Sequence, residues 1–251
     1  MQLNAHAWGD ETAPPVVCLH GVTGHGRRFR RLAEERLTDR YRVVSLDLRG
    51  HGRSTWDPPW DLDTHVADVL ESAAAHGIER AAWIGHSFGG RLVAEIAARA
   101  PERVERAVLL DPAILIDPET ARTQAESQRP DASFATPQEA VGAKLASGTY
   151  FSTPQEIWDE EVEQHLERGA DGRYRWRYSA LAVIVAFSDM SKRGAALPSR
   201  EALVVLGKRS WLPVEVPDAA GLEVVTVPGG HSVLWDDLDA TADAVRGFLD
   251  R

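Results

Sequence analysis

Residues 83–90, WIGHSFGG, place one serine, Ser87, between Gly85 and Gly89 at the end of an apolar run. The apolar run predicts a strand, and the next segment, GGRLVAEIAARAP (89–101), predicts an amphipathic helix. A serine on such a sharp strand-to-helix turn needs small residues two positions before and after it, and the turn lifts its hydroxyl clear of the sheet. The stretch therefore favours a nucleophilic serine, provided that the rest of the chain supplies groups to activate it.

Short apolar runs alternate with helical patterns through much of the chain. The predicted strands are PVVCLH (15–20), YRVVSLD (41–47), RAAWIG (80–85), RAVLLD (106–111), ALVVLG (202–207) and LEVVTV (222–227). The other predicted helices are RRFRRLAEERLTD (27–39), DLDTHVADVLESAAAHG (61–77) and LDATADAVRGFLD (238–250). Strands that are apolar on both faces are typical of parallel sheets covered by helices. The pattern predicts an α/β fold with a mostly parallel, doubly wound sheet.

The alternation stops at 112 and resumes near 200. The segment between is polar and is predicted to be helical, with capping boxes that begin at Thr136 and Thr153. An insertion of this length is too long for a plain loop, and we expect a lid over the carboxyl ends of the strands. The predicted organisation is a core of 1–112 and 200–251 with a helical lid of 113–199.

Composition narrows the function classes. The 251 residues carry a net charge of −10, which argues against general affinity for nucleic acid or anionic membranes. The single cysteine, Cys18, excludes an intrachain disulfide and fits a reducing compartment. The chain starts without the features of a signal peptide, and its longest apolar run, ALAVIVAF (180–187), is far shorter than the ~20 residues of a spanning helix. We expect a soluble, cytoplasmic protein with neither nucleic-acid nor membrane partners; its oligomeric state stays open.

Candidate partners for Ser87 lie in two other glycine-rich loops. LHGVTGHG (19–26) follows a predicted strand, and its Val22 amide could join the Phe88 amide in binding an oxyanion. VTVPGGHSVLWDD (225–237) places His231 on a Gly-Gly loop after the last predicted strand, where it could act as general base. No pair of histidines has the spacing of a zinc site, so neither a metal nor another cofactor is expected.

These segments together resemble the α/β-hydrolase family, in its serine esterase or lactonase-like branch with a helical lid. The motifs that carry the resemblance, in the family's order, are HGVTG (20–24), DLRGHGRS (47–54), GHSFGG (85–90), PERVERAVLLDPA (101–113) and PGGHSVLWDD (228–237). The resemblance implies a lid inserted after the sixth strand, and serine, acid and histidine in that chain order. It also implies that Asp47 shapes its own loop.

The triad's acid is missing from its usual place. The family's acid commonly follows the strand after the lid in a Gly-x-x-Asp turn, and here Ser210 occupies that position. Asp111, at the carboxyl end of the strand next to that of Ser87, is the favoured substitute, and some family members take their acid from this position. Asp236 and Asp237, which follow His231 closely, and a weak dyad without an acid remain alternatives. The predicted catalytic residues are Ser87, His231 and Asp111.

The predicted activity is hydrolysis of a small carboxylic ester, lactone or thioester through an acyl-enzyme on Ser87. The serine argues against the aspartate-nucleophile chemistry of the family's dehalogenases and epoxide hydrolases. A non-catalytic small-ligand binding protein, a carbon–carbon bond hydrolase and a cofactor-free perhydrolase remain alternatives. Tyr178 and Trp235 are candidate pocket residues. The alternating segment RYRWRY (173–178) is more simply an extended edge of the lid with one face solvated.

Overall fold

The computed structural model describes residues 2–130, 132–198, 201–219 and 221–251. Within these ranges the strands are β1 (Ala5–Trp8), β2 (Pro15–Leu19), β3 (Arg42–Leu46), β4 (Ala81–His86), β5 (Val104–Leu110), β6 (Leu166–Arg168), β7 (Tyr174–Trp176), β8 (Ala202–Gly207) and β9 (Leu222–Val227). The α-helices are α1 (Arg30–Leu32), α2 (Leu62–Ala75), α3 (Phe88–Arg99), α4 (Pro118–Ser127), α5 (Pro137–Ala146), α6 (Gln155–His165), α7 (Ala180–Met190), α8 (Val233–Asp236) and α9 (Leu238–Leu249).

Seven strands form the central sheet in the order β1-β3-β2-β4-β5-β8-β9. All neighbours pair in parallel except β1, which pairs antiparallel with β3 at one edge. Apolar clusters cover both faces of the sheet, and every residue of the central strand β4 is buried. Burial on both faces is the reason for the continuous apolar runs in the sequence. The predicted α/β fold is therefore confirmed, and all six predicted strands form.

The segment predicted as one helix over 27–39 is irregular. A 3-10 turn over Gly26–Phe29 leads into the three-residue α1 and then into a π-helical turn over Ala33–Leu37. The prediction of a regular helix there was wrong. The buried apolar residues of this segment are Phe29, Leu32, Ala33 and Leu37. Over so short a span, their spacing is compatible with a 3-10 helix, an α-helix and a π-helix alike, so the sequence pattern does not distinguish the three.

The insertion follows β5 and contains α4 to α7. It also contains an antiparallel hairpin of β6 and β7, which the sequence did not predict. Strand β7 comprises three of the six residues in the arginine–aromatic segment 173–178. Tyr178, at the end of that segment, forms an isolated β-bridge with His51 of the core. The predicted boundary between lid and core, at 199 and 200, lies outside the described residues, as does Met1.

The two predicted helix starts in the lid behave differently. Thr136 caps α5, and its hydroxyl accepts from the Glu139 amide at 3.2 Å. Thr153 does not cap α6, so the second predicted capping box is wrong: its hydroxyl donates to Asp236 at 2.8 Å instead. Asp236 is the last residue of α8, the short helix after His231, and its carboxylate thereby joins the lid to the core.

Asp47 lies at the start of the loop that follows β3. The Asp47 carboxylate accepts from the backbone amides of Gly26 and Arg53, at 2.7 and 2.9 Å, which confirms that it shapes its loop. Burial would raise the pKa of Asp47, but His6 and these amides hold it well below its usual range.

Across the described part of the chain, every helix is too short or too polar to cross a bilayer.

Candidate active site

Ser87 lies in a strained turn at the end of β4. Its backbone has φ 53° and ψ −115°, a conformation that L-residues rarely adopt. Its amide donates to the Leu110 carbonyl at 3.0 Å, and its own carbonyl accepts from Arg91 and Ala113. These bonds from α3 and from the chain after β5 hold the turn in place.

The two glycines of the motif are required by packing. A Cβ at Gly85 would collide with the backbone of Gly89, and a Cβ at Gly89 would collide with the carbonyl of Leu19. The turn therefore packs directly against the neighbouring strand β2. This close approach explains why the sequence reads Gly-x-Ser-x-Gly here.

His231 bridges Ser87 and Asp111. Its Nε2 lies 3.0 Å from Ser87 Oγ, and its Nδ1 lies 2.6 Å from Asp111 Oδ2. A carboxylate can only accept, so Nδ1 carries the proton and Nε2 is free to accept from the serine hydroxyl. The His231 carbonyl accepts from His86 Nε2 at 2.8 Å, which fixes the loop. Burial, followed by the proximity of His231, lowers the pKa of His86 to about 3, so His86 is neutral.

Asp111 is buried and held by several donors. Its Oδ1 accepts from the Gly207 amide at 2.9 Å, and its Oδ2 accepts from the Ser210 hydroxyl at 2.5 Å. Its φ of 42° is again unusual for a residue with a side chain. Ser210 occupies the position where the sequence pattern would place the acid. Its hydroxyl contacts Asp111 rather than His231. The carboxylates of Asp236 and Asp237 instead accept from the amides of Gly230 and Ala240.

We expect Ser210→Ala to lower kcat/KM for an activated ester by less than about tenfold. A hydrogen bond to a charged group contributes roughly 1.5–3 kcal/mol, and here it stabilises the same carboxylate state before and during proton transfer. The Gly207 amide still orients Asp111 in this variant. Steady-state rates and the melting temperature would be measured together. A loss of a thousandfold would make Ser210 part of the proton relay and contradict this role.

The loop after β2 lies against Ser87. A Cβ at Gly21 would come within 2.9 Å of the Ser87 Cβ, so only glycine allows this approach. His20 ties the loop down, because its Nε2 accepts from the Leu48 amide at 2.9 Å while its Nδ1 donates to Gly21. Val22 lines the cavity at Ser87, and Phe88 is the first residue of α3. Both candidate oxyanion donors thus flank the serine.

A cavity of about 320 Å³ opens above Ser87 between core and lid. Ser87, His231 and Tyr178 line it, and so do Trp176 and Trp211. The placement of Tyr178 agrees with the sequence analysis. Trp235 does not line this cavity, so that part of the prediction was wrong. Its ring packs against Trp158 and Tyr150, with both centroids 5.7 Å away, because the helix that follows His231 turns it inward.

Three charged residues near the cavity were missed by the sequence analysis. Arg28 and Lys144 line it, and both pair with Glu161, whose carboxylate is fully buried. Arg28 belongs to the core, whereas Lys144 and Glu161 belong to α5 and α6 of the lid. No local sequence feature distinguishes these three residues from the many other charged residues on the helices of this chain. A lysine and a glutamate 17 positions apart on different helices form no sequence motif.

Known proteins share this fold. A sequence model of the α/β-hydrolase fold matches residues 14–153. Lipase LipV of Mycobacterium tuberculosis is 32% identical over 259 residues, which cover 99% of this chain and 98% of LipV. Esterase YbfF of Escherichia coli is 32% identical over 97 residues, 39% of this chain and 38% of YbfF. The crystal structure of an E-2-(acetamidomethylene)succinate hydrolase has a TM-score of 0.84 and 25% identity, and the match covers 99% of this chain and 95% of that one.

The family-model match over more than half of the chain and the full-length similarity to LipV decide the classification. This chain belongs to the α/β-hydrolase family. Its relatives in that family include a lipase and an esterase, and it is a hydrolase on the same fold.

Proposed function

We propose that the protein is a serine hydrolase that cleaves carboxylic esters through an acyl-enzyme on Ser87. The observation that carries the proposal is the hydrogen-bonded series Asp111–His231–Ser87, of which Ser87 and His231 line the cavity. The names of LipV and YbfF, a lipase and an esterase, support ester bonds as the target. Lactones and thioesters fit the same chemistry, since alkoxide and thiolate leave more easily than an amine.

In the first step Ser87 Oγ attacks the ester carbonyl carbon while its proton passes to His231 Nε2. Asp111 accepts the Nδ1 hydrogen bond and stabilises the imidazolium that forms. The carbonyl oxygen becomes an oxyanion, which the amides of Val22 and Phe88 bind. His231 then gives the proton to the departing alkoxide, and the alcohol leaves. Water repeats the sequence, so that the acid departs and Ser87 is regenerated.

A fluorophosphonate is the direct test of the nucleophile. Ser87 Oγ should displace fluoride from phosphorus, and the protein should gain the mass of one phosphonyl group on the peptide that contains Ser87. Prior incubation with a small ester should slow the labelling. Ser188→Ala, which changes an exposed serine of α7, serves as the control and should label normally. A wild type that resists labelling and turns over no ester faster than Ser87→Ala would favour a binding protein instead.

A further inference from the structure

The cavity above Ser87 has an electrostatic character opposite to that of the whole chain. Although the net charge is −10, the described residues that line the cavity include two cations, Arg28 and Lys144, and no carboxylate. We propose that these two residues form a subsite for one carboxylate group of the substrate, beside the ester that Ser87 attacks. The proposal deepens the esterase function and rests on it.

The buried charged residues around the subsite carry one more positive than negative charge. Glu161 pairs with Arg28 at 2.7 Å and with Lys144 at 2.5 Å, so one carboxylate faces two cations. His25, 2.8 Å from Glu161, adds no charge, because burial lowers its pKa. Burial likewise holds the pKa of His165 well below its usual range. Together the group carries about one net positive charge at neutral pH.

Both cations are deeply buried. The side chains of Arg28 and Lys144 are 8% and 10% exposed. Burial lowers the pKa of Lys144 to about 8, even though Glu161 favours its protonation. The Arg28 Nε lacks a hydrogen-bond partner among the described residues. Desolvated cations interact strongly with an anion that enters the same cavity, because the surrounding dielectric is low.

The position of the cations fits a substrate that spans subsite and serine. Tyr150 lines the cavity, and its hydroxyl interacts with the side chains of Arg28 and Ser232. Ser232 directly follows His231 in the chain. Lys144 lies with its ammonium 3.7 Å from the centroid of Trp176, whose ring also lines the cavity. The positive end of the cavity is therefore joined to the catalytic loop.

The net charge of this group indicates which kind of anion would bind there. A monoanionic carboxylate neutralises the one excess positive charge, and its planar oxygens match a guanidinium. A dianionic phosphate would instead leave a buried excess of negative charge, which is costly without further donors. We therefore expect an ester whose acyl or alcohol part ends in a free carboxylate.

Two pairs of substrates test the proposal, one for each side of the ester. Mono-para-nitrophenyl glutarate is compared with para-nitrophenyl pentanoate, and para-acetoxybenzoate with its neutral methyl ester. For at least one pair we expect wild type to favour the carboxylate member in kcat/KM. In Lys144→Met this preference should fall by about 10- to 100-fold, mainly through KM, as expected for a lost hydrogen bond between charged groups.

Matched variants separate charge from structure. Lys144→Arg retains the charge and should keep most of the preference. Lys192→Met removes a lysine that is 68% exposed and paired with Asp189 elsewhere in the lid, and it should change nothing. A wild type that favours the neutral member of both pairs, with ratios that Lys144→Met does not alter, would overturn the subsite while leaving the esterase intact.

Binding without turnover tests the subsite independently of the proposed activity. In Ser87→Ala, calorimetric titration with monomethyl glutarate and with para-acetoxybenzoate should give measurable affinity for at least one of them. The added Lys144→Met change should weaken that affinity by a similar factor. If neither anion binds, the subsite is refuted even if esters are hydrolysed. If one binds while wild type shows no Ser87-dependent hydrolysis, only the esterase function fails.

Discussion

Ser87→Ala is expected to lower kcat/KM for para-nitrophenyl butyrate by about 10⁴- to 10⁶-fold. Loss of a catalytic serine removes the covalent route, and the remaining acceleration comes from binding and from the oxyanion donors alone. The substitution should leave the fold intact, because the turn is held by backbone bonds to Leu110, Arg91 and Ala113 that an alanine keeps. The measurement is the steady-state rate with substrate well below KM, with the background rate of the buffer subtracted.

The control for this variant must separate chemistry from folding. Ser188→Ala makes the same chemical change on an exposed face of α7 and should retain the wild-type rate. The melting temperature of Ser87→Ala should stay within a few degrees of that of wild type. A Ser87→Ala protein that is folded and retains more than about a tenth of the activity would exclude Ser87 as the nucleophile.

The sheet could be predicted because its strands are buried on both faces. Continuous apolar runs such as 81–85 indicate buried parallel strands when helical patterns alternate with them. The edge strand β1 was missed for the opposite reason. Only part of AHAW is apolar and its residues are half-exposed, so the sequence carries neither a continuous run nor a clean alternation. The short lid hairpin, with three residues in each strand, was missed as well: RYRWRY alternates around β7, but no such pattern marks β6 as its partner.

The candidate site was predictable as far as local backbone geometry dictates the residue. Gly85 and Gly89 are required by collisions within the turn itself, and His231 follows a strand on a glycine-rich loop. Asp111 emerged by elimination and by its place at the end of β5. The role of Ser210 as a donor to Asp111 depends on how two loops from different strands meet, which spacing along the chain does not reveal.

The second large effect is expected from Asp111→Asn, which should lower kcat/KM by about 10³- to 10⁴-fold. The reason lies in the hydrogen bonds of the aspartate. Its Oδ1 faces the Gly207 amide, a donor, so the asparagine oxygen should take that place. The amide nitrogen would then face His231 Nδ1. Because that nitrogen donates, His231 would have to carry its proton on Nε2, where it can no longer accept from Ser87.

A matched control comes from Asp237, which lies between helices α8 and α9 after His231. Asp237→Asn makes the same chemical change at the N-cap of α9, where its Oδ1 accepts from the Ala240 amide and where asparagine caps as well as aspartate. That variant should keep nearly full activity and stability. If Asp111→Asn were equally active, His231 would be oriented by another group and the acid would not be Asp111. A large loss in Asp111→Asn alone would instead mean that Asp111 is the acid, at the end of β5 and beside the strand that carries Ser87.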